Sequence, residues 1–209
     1  MSRFSCGLTA LLLMCGCSEQ PIQLEWRYDL GASSSSNPLV TDQYVAVGTE
    51  QGLKLLSTTG SLRCSFSQAG NVISAPATDG TNIFFGSTNY MAYAIDPQCN
   101  QVWTFQTQDR IKGDPLVADG KVFIGSYDGH LYALDAGTGK ELWVFPKRPS
   151  VQLDEGVFEQ SPELSPAPAE PAAAEKKSEE YKAGAFSYSS PMLSEGVLYL
   201  GNLDNRLYA

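Results

Sequence analysis

The sequence has 209 residues, of which 43% are hydrophobic and 18% charged, and its formal net charge is −9 with a single histidine. A chain of this length can bury a sizeable core as one domain. Because an acidic surface repels phosphate backbones, a nucleic acid is excluded as the expected partner.

The first sixteen residues have the features of a secretory signal. Ser2 and Arg3 give a short basic start, and an apolar stretch runs from Phe4 to Met14. This stretch is too short for a helix that crosses a hydrocarbon core, which needs about 20 residues. We therefore predict that residues 1–16 are a signal peptide and not an anchor helix.

The end of this signal, MCGC at 14–17, is similar to a bacterial lipobox, in which a small residue precedes the acylated cysteine. Cys17 follows a glycine, whereas Cys15 follows a bulky methionine, so Cys17 is the predicted lipidated residue and 17–22 a tether. Acyl chains would hold the domain on a bilayer. By the same resemblance, Ser18 implies an outer-membrane anchor facing the periplasm. An ordinary secretory peptide that contains cysteines is the alternative.

From residue 23 onward, the chain repeats a unit of about 39 residues. Tyr127 to Phe145 (YDGHLYALDAGTGKELWVF) contains the most complete copy of its second half. The recurring residues are Pro38, Pro76, Pro115 and Pro191, then Gly48, Gly86, Gly125 and Gly201, and finally Trp26, Trp103 and Trp143, with Cys64 at the tryptophan position between. Repeats of this length that build four short strands predict a β-propeller.

The copy that begins at Pro115 defines the predicted strands. Asp-Gly turns between apolar runs indicate hairpins, because glycine takes the positive φ that such turns need. The runs VFIG and LYAL are apolar at consecutive positions, which predicts strands covered on both faces. We predict an all-β fold of four-stranded antiparallel blades, with strands here at 115–118, 121–126, 130–134 and 141–145.

The recurring residues are expected to serve the blades themselves. A glycine at the end of each second strand permits close approach of a neighbouring backbone. A proline is tolerated on the first strand but not in the middle of a sheet. The tryptophans are predicted to pack between blades and not to stack on a ligand.

Beyond the signal, Cys64 and Cys99 remain besides Cys17. An oxidising periplasm permits a disulfide between them. Because Cys64 occupies a tryptophan position and Cys99 a turn, we expect free buried thiols, with the disulfide as the alternative.

A low-complexity insertion occupies residues 147–187. Its segment SPELSPAPAEPAAAEKKSEEYKAG has few apolar and many charged residues, which predicts disorder with a marginal helix from Pro171 to Lys182. The insertion is interpreted as a tether or capture segment with Val157 and Phe158 as contact points, or equally as a tolerated surface insertion.

The pattern P-x-V-x-D-G-x-V-[FY]-[IV]-G-S-x-D-G-x-L-Y-A-L-D-x-x-T-G-x-x-x-W, spelled by Pro115 through Trp143, resembles the pyrroloquinoline-quinone-type (PQQ-like) propeller repeat. The resemblance covers Trp26 to Ala209 except the insertion. This family includes quinoprotein dehydrogenases, sensor domains and the propeller lipoprotein of the outer-membrane β-barrel assembly machinery.

The resemblance also implies a blade number. Such repeats usually close as rings of seven or eight blades, and about four are present here, so we expect an incomplete ring. The alternative is a closed four-blade ring in which Gln23 to Tyr28, with the features of a fourth strand, completes the last blade.

An enzyme of this family would bind a quinone between aromatic and disulfide surfaces and hold calcium with carboxylates. The sequence has no vicinal cysteine pair and no C-x-x-C-H haem motif. His130 follows a turn, where a solvated strand end is favoured over a general base. The recurring acidic residues lie at turns, which indicates local backbone hydrogen bonds. We therefore assign no catalytic, cofactor-binding or metal-binding residue.

The sequence favours a non-catalytic scaffold in the cell envelope, anchored to the membrane by lipid and facing the periplasm. It would present loops to an unidentified envelope protein, in a role such as outer-membrane protein assembly. One alternative is a fragment of a quinoprotein dehydrogenase that uses PQQ and calcium. Another is a sensor domain that binds a small ligand or a polysaccharide.

Overall fold

The computed structural model describes residues 24–147, 190–203 and 205–209, which form an all-β structure. The predicted signal peptide, Cys17, the tether and almost all of the predicted insertion lie outside the described residues. Within the described part of the chain, no helix is long and apolar enough to span a membrane.

The strands form four antiparallel sheets, blades 1 to 4, in which each strand pairs with the next one along the chain. Blade 1 contains β1 (Leu39–Val40), β2 (Tyr44–Thr49), β3 (Gly52–Ser57) and β4 (Leu62–Phe66). Blade 2 contains β5 (Ala77–Thr78), β6 (Ile83–Gly86), β7 (Met91–Ile95) and β8 (Gln101–Gln106). Blade 3 contains β9 (Leu116–Ala118), β10 (Lys121–Gly125), β11 (Leu131–Asp135) and β12 (Glu141–Phe145). Blade 4 contains β13 (Met192–Ser194), β14 (Val197–Gly201) and β15 (Leu207–Tyr208).

Blade 3 agrees with the strands predicted from its sequence to within one residue at each end. In its central hairpin, Lys121 lies opposite Asp135 and Gly125 opposite Leu131. The turn residues Asp119 and Gly120 take φ values of 50° and 70°, as a tight hairpin requires. The predicted all-β fold of antiparallel blades is confirmed, with four strands in each of blades 1 to 3 and three described strands in blade 4.

The core lies between blades and not within one sheet. All residues of β6 are buried, as are the first four of β11. Side chains from blades 2 and 3, including Phe84, Trp103 and Tyr132, form one cluster. Strands covered on both faces explain the unbroken apolar runs in the sequence.

The recurring prolines and glycines lie where the blades meet their neighbours. Each proline directly precedes the first strand of its blade, where no ladder hydrogen bond is lost. A Cβ on Gly86 would lie 1.9 Å from Ile111 Cγ2, and one on Gly48 would lie 2.5 Å from the Val72 carbonyl oxygen. At these two positions the next inter-blade segment leaves no room for a side chain.

A tryptophan ring fills a slot against the turn between the third and fourth strands of the following blade. The Trp103 ring covers Gly139, where a Cβ would lie 2.6 Å from the ring, and its Nε1–H donates to the Ala136 carbonyl over 2.8 Å. Trp26 repeats both contacts on blade 1, with a Cβ on Gly60 also 2.6 Å from its ring and a 3.0 Å hydrogen bond to the Thr58 carbonyl.

The slot between blades 1 and 2 contains a disulfide instead. Cys64 and Cys99 are bonded, with their Cα atoms 6.1 Å apart. Cys99 occupies the turn position that is Gly60 in blade 1 and Gly139 in blade 3, and it takes the same left-handed backbone with φ 63°. The expectation of free thiols is therefore wrong. A residue at the tryptophan position faces the next blade's turn, so two cysteines 35 residues apart in sequence meet.

Residues 24–28 form no strand, so the described residues do not support the alternative in which Gln23 to Tyr28 completes the last blade of a closed four-blade ring. The blade 4 sheet contains three strands, and within the described residues nothing pairs with the free side of β15. A strand needs a ladder partner, and residues 24–28 have none there. Trp26 nevertheless makes the side-chain contacts of an outer-strand tryptophan.

Candidate protein interface on the connector face

One face of the blades is built by the segments that link consecutive blades, together with the turns between second and third strands. We call it the connector face; it contains linkers 67–76 and 107–115 and turns 49–52, 87–90 and 126–129. Each linker is hydrogen bonded to the turns on both sides. Val72 N–H donates to Thr49 O (2.9 Å) and Thr88 N–H to Asn71 O (3.1 Å).

The same bonds recur one repeat later. Ile111 N–H donates to Ser87 O over 3.0 Å, and Tyr127 N–H donates to Arg110 O over 2.9 Å. The hydroxyls of Ser87 and Ser126 add bonds to the linker carbonyls. The connector face is therefore a surface with a fixed backbone, which lowers the entropy that a partner's binding would cost.

A cleft of about 420 Å³ opens on this face between the two linkers, and we call it the Tyr90 cleft. Its walls come from linker 67–76, the turn of blade 2 and linker 107–115. The lining residues are Asn71, Ile73, Thr88, Tyr90, Arg110 and Lys112.

Tyr90 has a backbone conformation that tyrosine rarely adopts. Its φ is 74°, and the equivalent turn positions are Gly52, Gly129 and Asn205, with φ values of 115°, 84° and 66°. A left-handed residue with a Cβ costs roughly 1–2 kcal/mol. Tyr90 is 41% exposed and belongs to none of the three buried clusters.

Two cationic side chains of linker 107–115 reach the same cleft. Lys112 Nζ lies 4.6 Å from the centre of the Tyr127 ring, a cation–π contact that positions the ammonium. Arg110 is exposed, and among the described residues no carboxylate forms an ion pair with its guanidinium. The Asp109 carboxylate next to it accepts instead from the Arg110 backbone N–H over 2.7 Å.

Asn71 adds a polar atom that lacks a partner. Its backbone carbonyl accepts from Ser87 and Thr88, whereas its side-chain Oδ1 is buried without a hydrogen bond. A buried acceptor that is left unpaired costs about 1–3 kcal/mol. The cleft thus combines a partly exposed aromatic ring with two cationic side chains.

A carboxylate links three blades near their first strands. Asp114 Oδ1 accepts from the Ala75 N–H over 2.6 Å, and Asp114 Oδ2 accepts from the Ser190 hydroxyl over 3.0 Å. These three residues each precede a recurring proline, so they are equivalent positions in blades 2, 3 and 4. Sequence reasoning missed Asp114, although its place before Pro115 marks it as the acidic member of this series.

An apolar cleft of about 340 Å³ separates blades 3 and 4 at their outer ends. Trp143 lines it and is 40% exposed, whereas Trp103 in the preceding blade is 7% exposed. Phe145 and Tyr208 face each other across it with ring centres 5.7 Å apart. Trp143 therefore lacks, within the described residues, the glycine turn on which Trp103 and Trp26 pack.

Four of the recurring acidic residues accept local backbone hydrogen bonds in turns, as the sequence indicated; they are Asp79, Asp96, Asp128 and Asp135. Asp79 Oδ1 accepts from the N–H groups of Thr81 and Asn82. Asp128 Oδ1 accepts from the His130 N–H, and its Oδ2 accepts from Gln108 N–H and the Tyr132 hydroxyl.

Two of these turn carboxylates have altered acidity. Hydrogen bonds from the Thr138 hydroxyl and N–H lower the pKa of Asp135 below its ordinary value. Burial acts to raise the pKa of Asp96, but hydrogen bonds from the Asn100 side chain and from backbone N–H groups outweigh it and lower the pKa.

His130 is partly exposed, and its Nδ1 lies 3.4 Å from Asp128 Oδ1 without forming a hydrogen bond. Within the described residues, no three histidine, cysteine or acidic side chains converge as a metal site would need.

The residues singled out from the sequence do not line the Tyr90 cleft. The tryptophans Trp26, Trp103 and Trp143 and the glycines Gly48 and Gly86 lie where blades meet. Gly125 and Gly201 end the second strands of blades 3 and 4. The cleft residues were missed, but one signal was available: the second copy has a tyrosine where two other copies have the turn glycine.

Comparison with known proteins gives two groups of relatives. Outer membrane protein assembly factor BamB of Burkholderia pseudomallei (strain K96243) is 24% identical over 61% of this chain and 34% of its own length. Quinohemoprotein alcohol dehydrogenase of Comamonas testosteroni is 42% identical over 25% of this chain and 9% of its own length.

Solved structures share the fold. BamB from Moraxella catarrhalis aligns with a TM-score of 0.63 and 18% identity, over 88% of this chain and 48% of that one. The computationally designed Ika4 protein aligns with a TM-score of 0.59 and 12% identity, over 85% of this chain and 89% of its own. This chain spans about half or less of the length of the natural relatives.

The family is given by a match over more than half of the sequence. A family model described as outer membrane protein assembly factor BamB matches residues 50–173. That range contains the Asp-Gly turns, the recurring glycines of blades 2 and 3 and the tryptophans of β8 and β12. The chain therefore belongs to the BamB family of PQQ-like β-propeller proteins.

Proposed function

We propose that this protein is a non-catalytic scaffold of the cell envelope that binds another protein of outer-membrane protein assembly through its connector face. The observation that supports this most is the fixed backbone of that face, where four hydrogen bonds repeat across two linkers. Family membership supports the assembly role, because the matching family is described by it. The proposal includes a periplasm-facing position with a lipid anchor at Cys17.

Site-specific photocrosslinking in cells that produce the full-length protein tests this role. A benzophenone amino acid at Thr88, on the connector face, is expected to crosslink to an envelope protein. The matched control is Thr81, at the other end of strand β6, which is expected to give no such product. Equal products from both positions, or none from Thr88, would contradict the proposal.

The anchor is tested separately. The substitution Cys17→Ala is expected to move the protein from the membrane fraction to the soluble fraction. The lost acyl chains would each have contributed about 0.8 kcal/mol of membrane-binding free energy per buried CH₂. Membrane association that persists in this variant would contradict the assignment of Cys17.

A quinoprotein dehydrogenase is the second candidate, favoured by the local 42% identity to the Comamonas testosteroni enzyme. The described residues fit a quinone poorly. The Trp26 and Trp103 rings are covered by turns, and the disulfide joins cysteines 35 residues apart instead of neighbours. Reduction of a redox dye with alcohols or sugars, after PQQ and Ca²⁺ are added to the full-length protein, would favour this candidate over the scaffold.

A further inference from the structure

The first described residues run along blade 1 from one face of the blades to the other. We call the face opposite the connector face the turn face; it contains the turns between third and fourth strands, at 57–61, 96–100 and 135–140. Trp26 packs on Gly60, which belongs to the turn face. Ser33 lies at the other end, where its carbonyl accepts from the Glu50 N–H of the connector face over 3.0 Å. The chain before Leu24 therefore reaches blade 1 at the turn face.

The predicted lipid anchor is close to this point in the chain. Leu24 follows Cys17 by seven residues, which span at most about 25 Å when fully extended. A blade is about 20 Å high, because a strand such as β8 has six residues that each rise about 3.3 Å. For the connector face to lie on the bilayer, these seven residues would have to run back along the whole blade at almost full extension. The chain length therefore favours the turn face of blade 1 as the side that meets the lipid.

The third turn of blade 1 differs in charge from its equivalents. Asp96 and Asp135 begin the turns of blades 2 and 3 and accept N–H groups of those turns. Ser57 takes this position in blade 1, and its hydroxyl accepts a turn N–H over 3.0 Å instead. From Ser57 to Arg63, the only charged side chain is that of Arg63. Because an anionic lipid surface repels carboxylates and attracts cations, this turn suits such a surface better than the other two.

The carboxylates at this end of blade 1 are matched by cations. Glu25 is two residues from Arg27. Arg63 donates to the carbonyl of Gln43, which is next to Asp42. These four charges sum to zero, whereas the whole chain has a formal net charge of −9. The turn-face end of blade 1 is therefore less repelled by anionic lipid than the protein as a whole.

Exposed apolar side chains lie at the same end. Leu24 is 76% exposed, and Leu62, the first residue of β4, is 45% exposed. Thr58 and Thr59, which precede Leu62 in the turn, are exposed as well. Apolar side chains beside hydroxyl groups fit the boundary between headgroups and acyl chains, where both kinds of group find partners.

We propose that the turn-face end of blade 1, formed by Leu24 and residues 57–62, contacts the headgroups of the bilayer that holds the Cys17 anchor. In this arrangement Leu24 and Leu62 insert among the headgroups, and the connector face points away from the lipid, where a partner protein can reach it. This inference rests on the proposed function, because it needs the lipid anchor, and it adds the surface that faces the membrane.

Quenching by a spin-labelled lipid tests this contact. The full-length acylated protein is reconstituted in vesicles of phosphatidylethanolamine and phosphatidylglycerol that contain a lipid with a nitroxide on its headgroup. A fluorescent amino acid replaces Thr59 on the turn face or, in a second protein, Gln51 on the connector face of the same blade. We expect at least about threefold stronger quenching at Thr59, because Gln51 lies about one blade height, roughly 20 Å, farther from the lipid.

Matched variants separate lipid contact from anchoring. Leu62→Glu should lower the quenching at Thr59 at least about twofold, because a carboxylate replaces an inserted apolar group. Leu142→Glu is the control, since Leu142 is 46% exposed on β12 of blade 3, and it should leave this quenching unchanged. Ser57→Asp restores the turn carboxylate of blades 2 and 3. It should lower the quenching in these vesicles but not in vesicles of phosphatidylcholine, which have no net charge.

Flotation of the vesicles distinguishes the two ways in which the inference can fail. If the protein floats with the vesicles but the quenching is equal at Thr59 and Gln51, or stronger at Gln51, the anchor stands and the lipid-contact proposal falls. Wild-type quenching in the Leu62→Glu variant would overturn it as well. If the protein does not float, the Cys17 assignment falls and this inference with it, whereas crosslinking from Thr88 still tests the connector face.

Discussion

Two equivalent slots between neighbouring blades are filled by different contacts. A disulfide occupies the slot between blades 1 and 2, and a tryptophan ring occupies the slot between blades 2 and 3. In the second slot, the Trp103 ring lies on Gly139 and donates to Ala136 O. In the first, Cys64 and Cys99 take these two positions and form a covalent bond. The turn backbone has a similar conformation in both slots, since Gly139 and Cys99 have φ values of 71° and 63°.

The difference shows that the two positions of a slot must change together. A ring needs a turn residue without a Cβ, because a Cβ on Gly139 would overlap the Trp103 ring. A cysteine at that turn excludes the ring, but it fits once the residue opposite is small. The tryptophan slot stabilises the folded protein by burying apolar area. The disulfide slot stabilises it mainly because the bond lowers the conformational entropy of the unfolded chain.

The largest expected effect is removal of the ring. Trp103→Ala should destabilise the protein by about 3–5 kcal/mol, because a buried ring and its hydrogen bond are lost. Trp143→Ala should cost clearly less, because Trp143 is 40% exposed. Urea unfolding monitored by far-ultraviolet circular dichroism measures both. Equal losses would show that the slot on Gly139 adds nothing specific.

Breaking the disulfide should lower the free energy of unfolding slightly less than Trp103→Ala does. For cysteines 35 residues apart, the chain-entropy model gives a loss of about 3–4 kcal/mol on reduction. The double variant Cys64→Ser, Cys99→Ser should show the same loss in urea without reductant. A wild-type unfolding curve that does not change with dithiothreitol would contradict a stabilising role for the bond.

Replacing the disulfide with a tryptophan–glycine pair tests directly whether the two slots are equivalent. The double variant Cys64→Trp, Cys99→Gly rebuilds the Trp103–Gly139 arrangement between blades 1 and 2. Its unfolding midpoint should be independent of dithiothreitol and should exceed that of the reduced wild-type protein. A midpoint below that of the double serine variant would mean that the two slots differ in more than these residues.

A smaller effect is expected from the turn glycine. Gly139→Ala should cost about 1–3 kcal/mol, since the added Cβ meets the Trp103 ring. Gly120→Ala is the matched control, because Gly120 has nearly the same left-handed φ, 70° against 71°, but nothing lies within 4 Å of a Cβ there. Thermal unfolding measures both variants, and a similar shift in the two would contradict the close ring contact.

The turn carboxylates are expected to contribute least to stability, and their contribution is measured by lowering the pH. Because the pKa of Asp135 is lowered in the folded protein, its stabilising contribution is present at neutral pH and is lost as the pH falls through that lowered value. Asp135→Asn should therefore flatten the decline of the unfolding temperature in acid. Asp96→Asn should do so less, because the disulfide at Cys99 also holds its turn. The opposite order would show that the turns act independently of the slots.

Much of the fold could be predicted from sequence because its signals are local. Asp119 and Gly120 lie at a hairpin, and the run from Leu131 to Leu134 is apolar because neighbouring blades cover both faces. Each of these depends on residues a few positions away. Residues 24–28 have the local pattern of a fourth strand but form none, because a strand also needs a partner that its own residues do not specify.

The candidate interface was less predictable for the same reason. Arg110 and Lys112 are read from the sequence as two basic residues in a linker. Only in the folded chain do they lie beside Tyr90, which belongs to the turn of blade 2, and Asn71, which belongs to the preceding linker.

Local signals in the sequence were enough to predict the repeat length, the strands of blade 3 and the all-β class, since turn chemistry and apolar runs act over short stretches of chain. The packing of the blades is what brings Cys64 to Cys99, joins three blades at Asp114 and places Tyr90 beside Arg110 and Lys112. These contacts join residues separated by about 20 to 76 positions. Their distances depend on how successive blades are placed against each other, and buried packing between blades sets that placement.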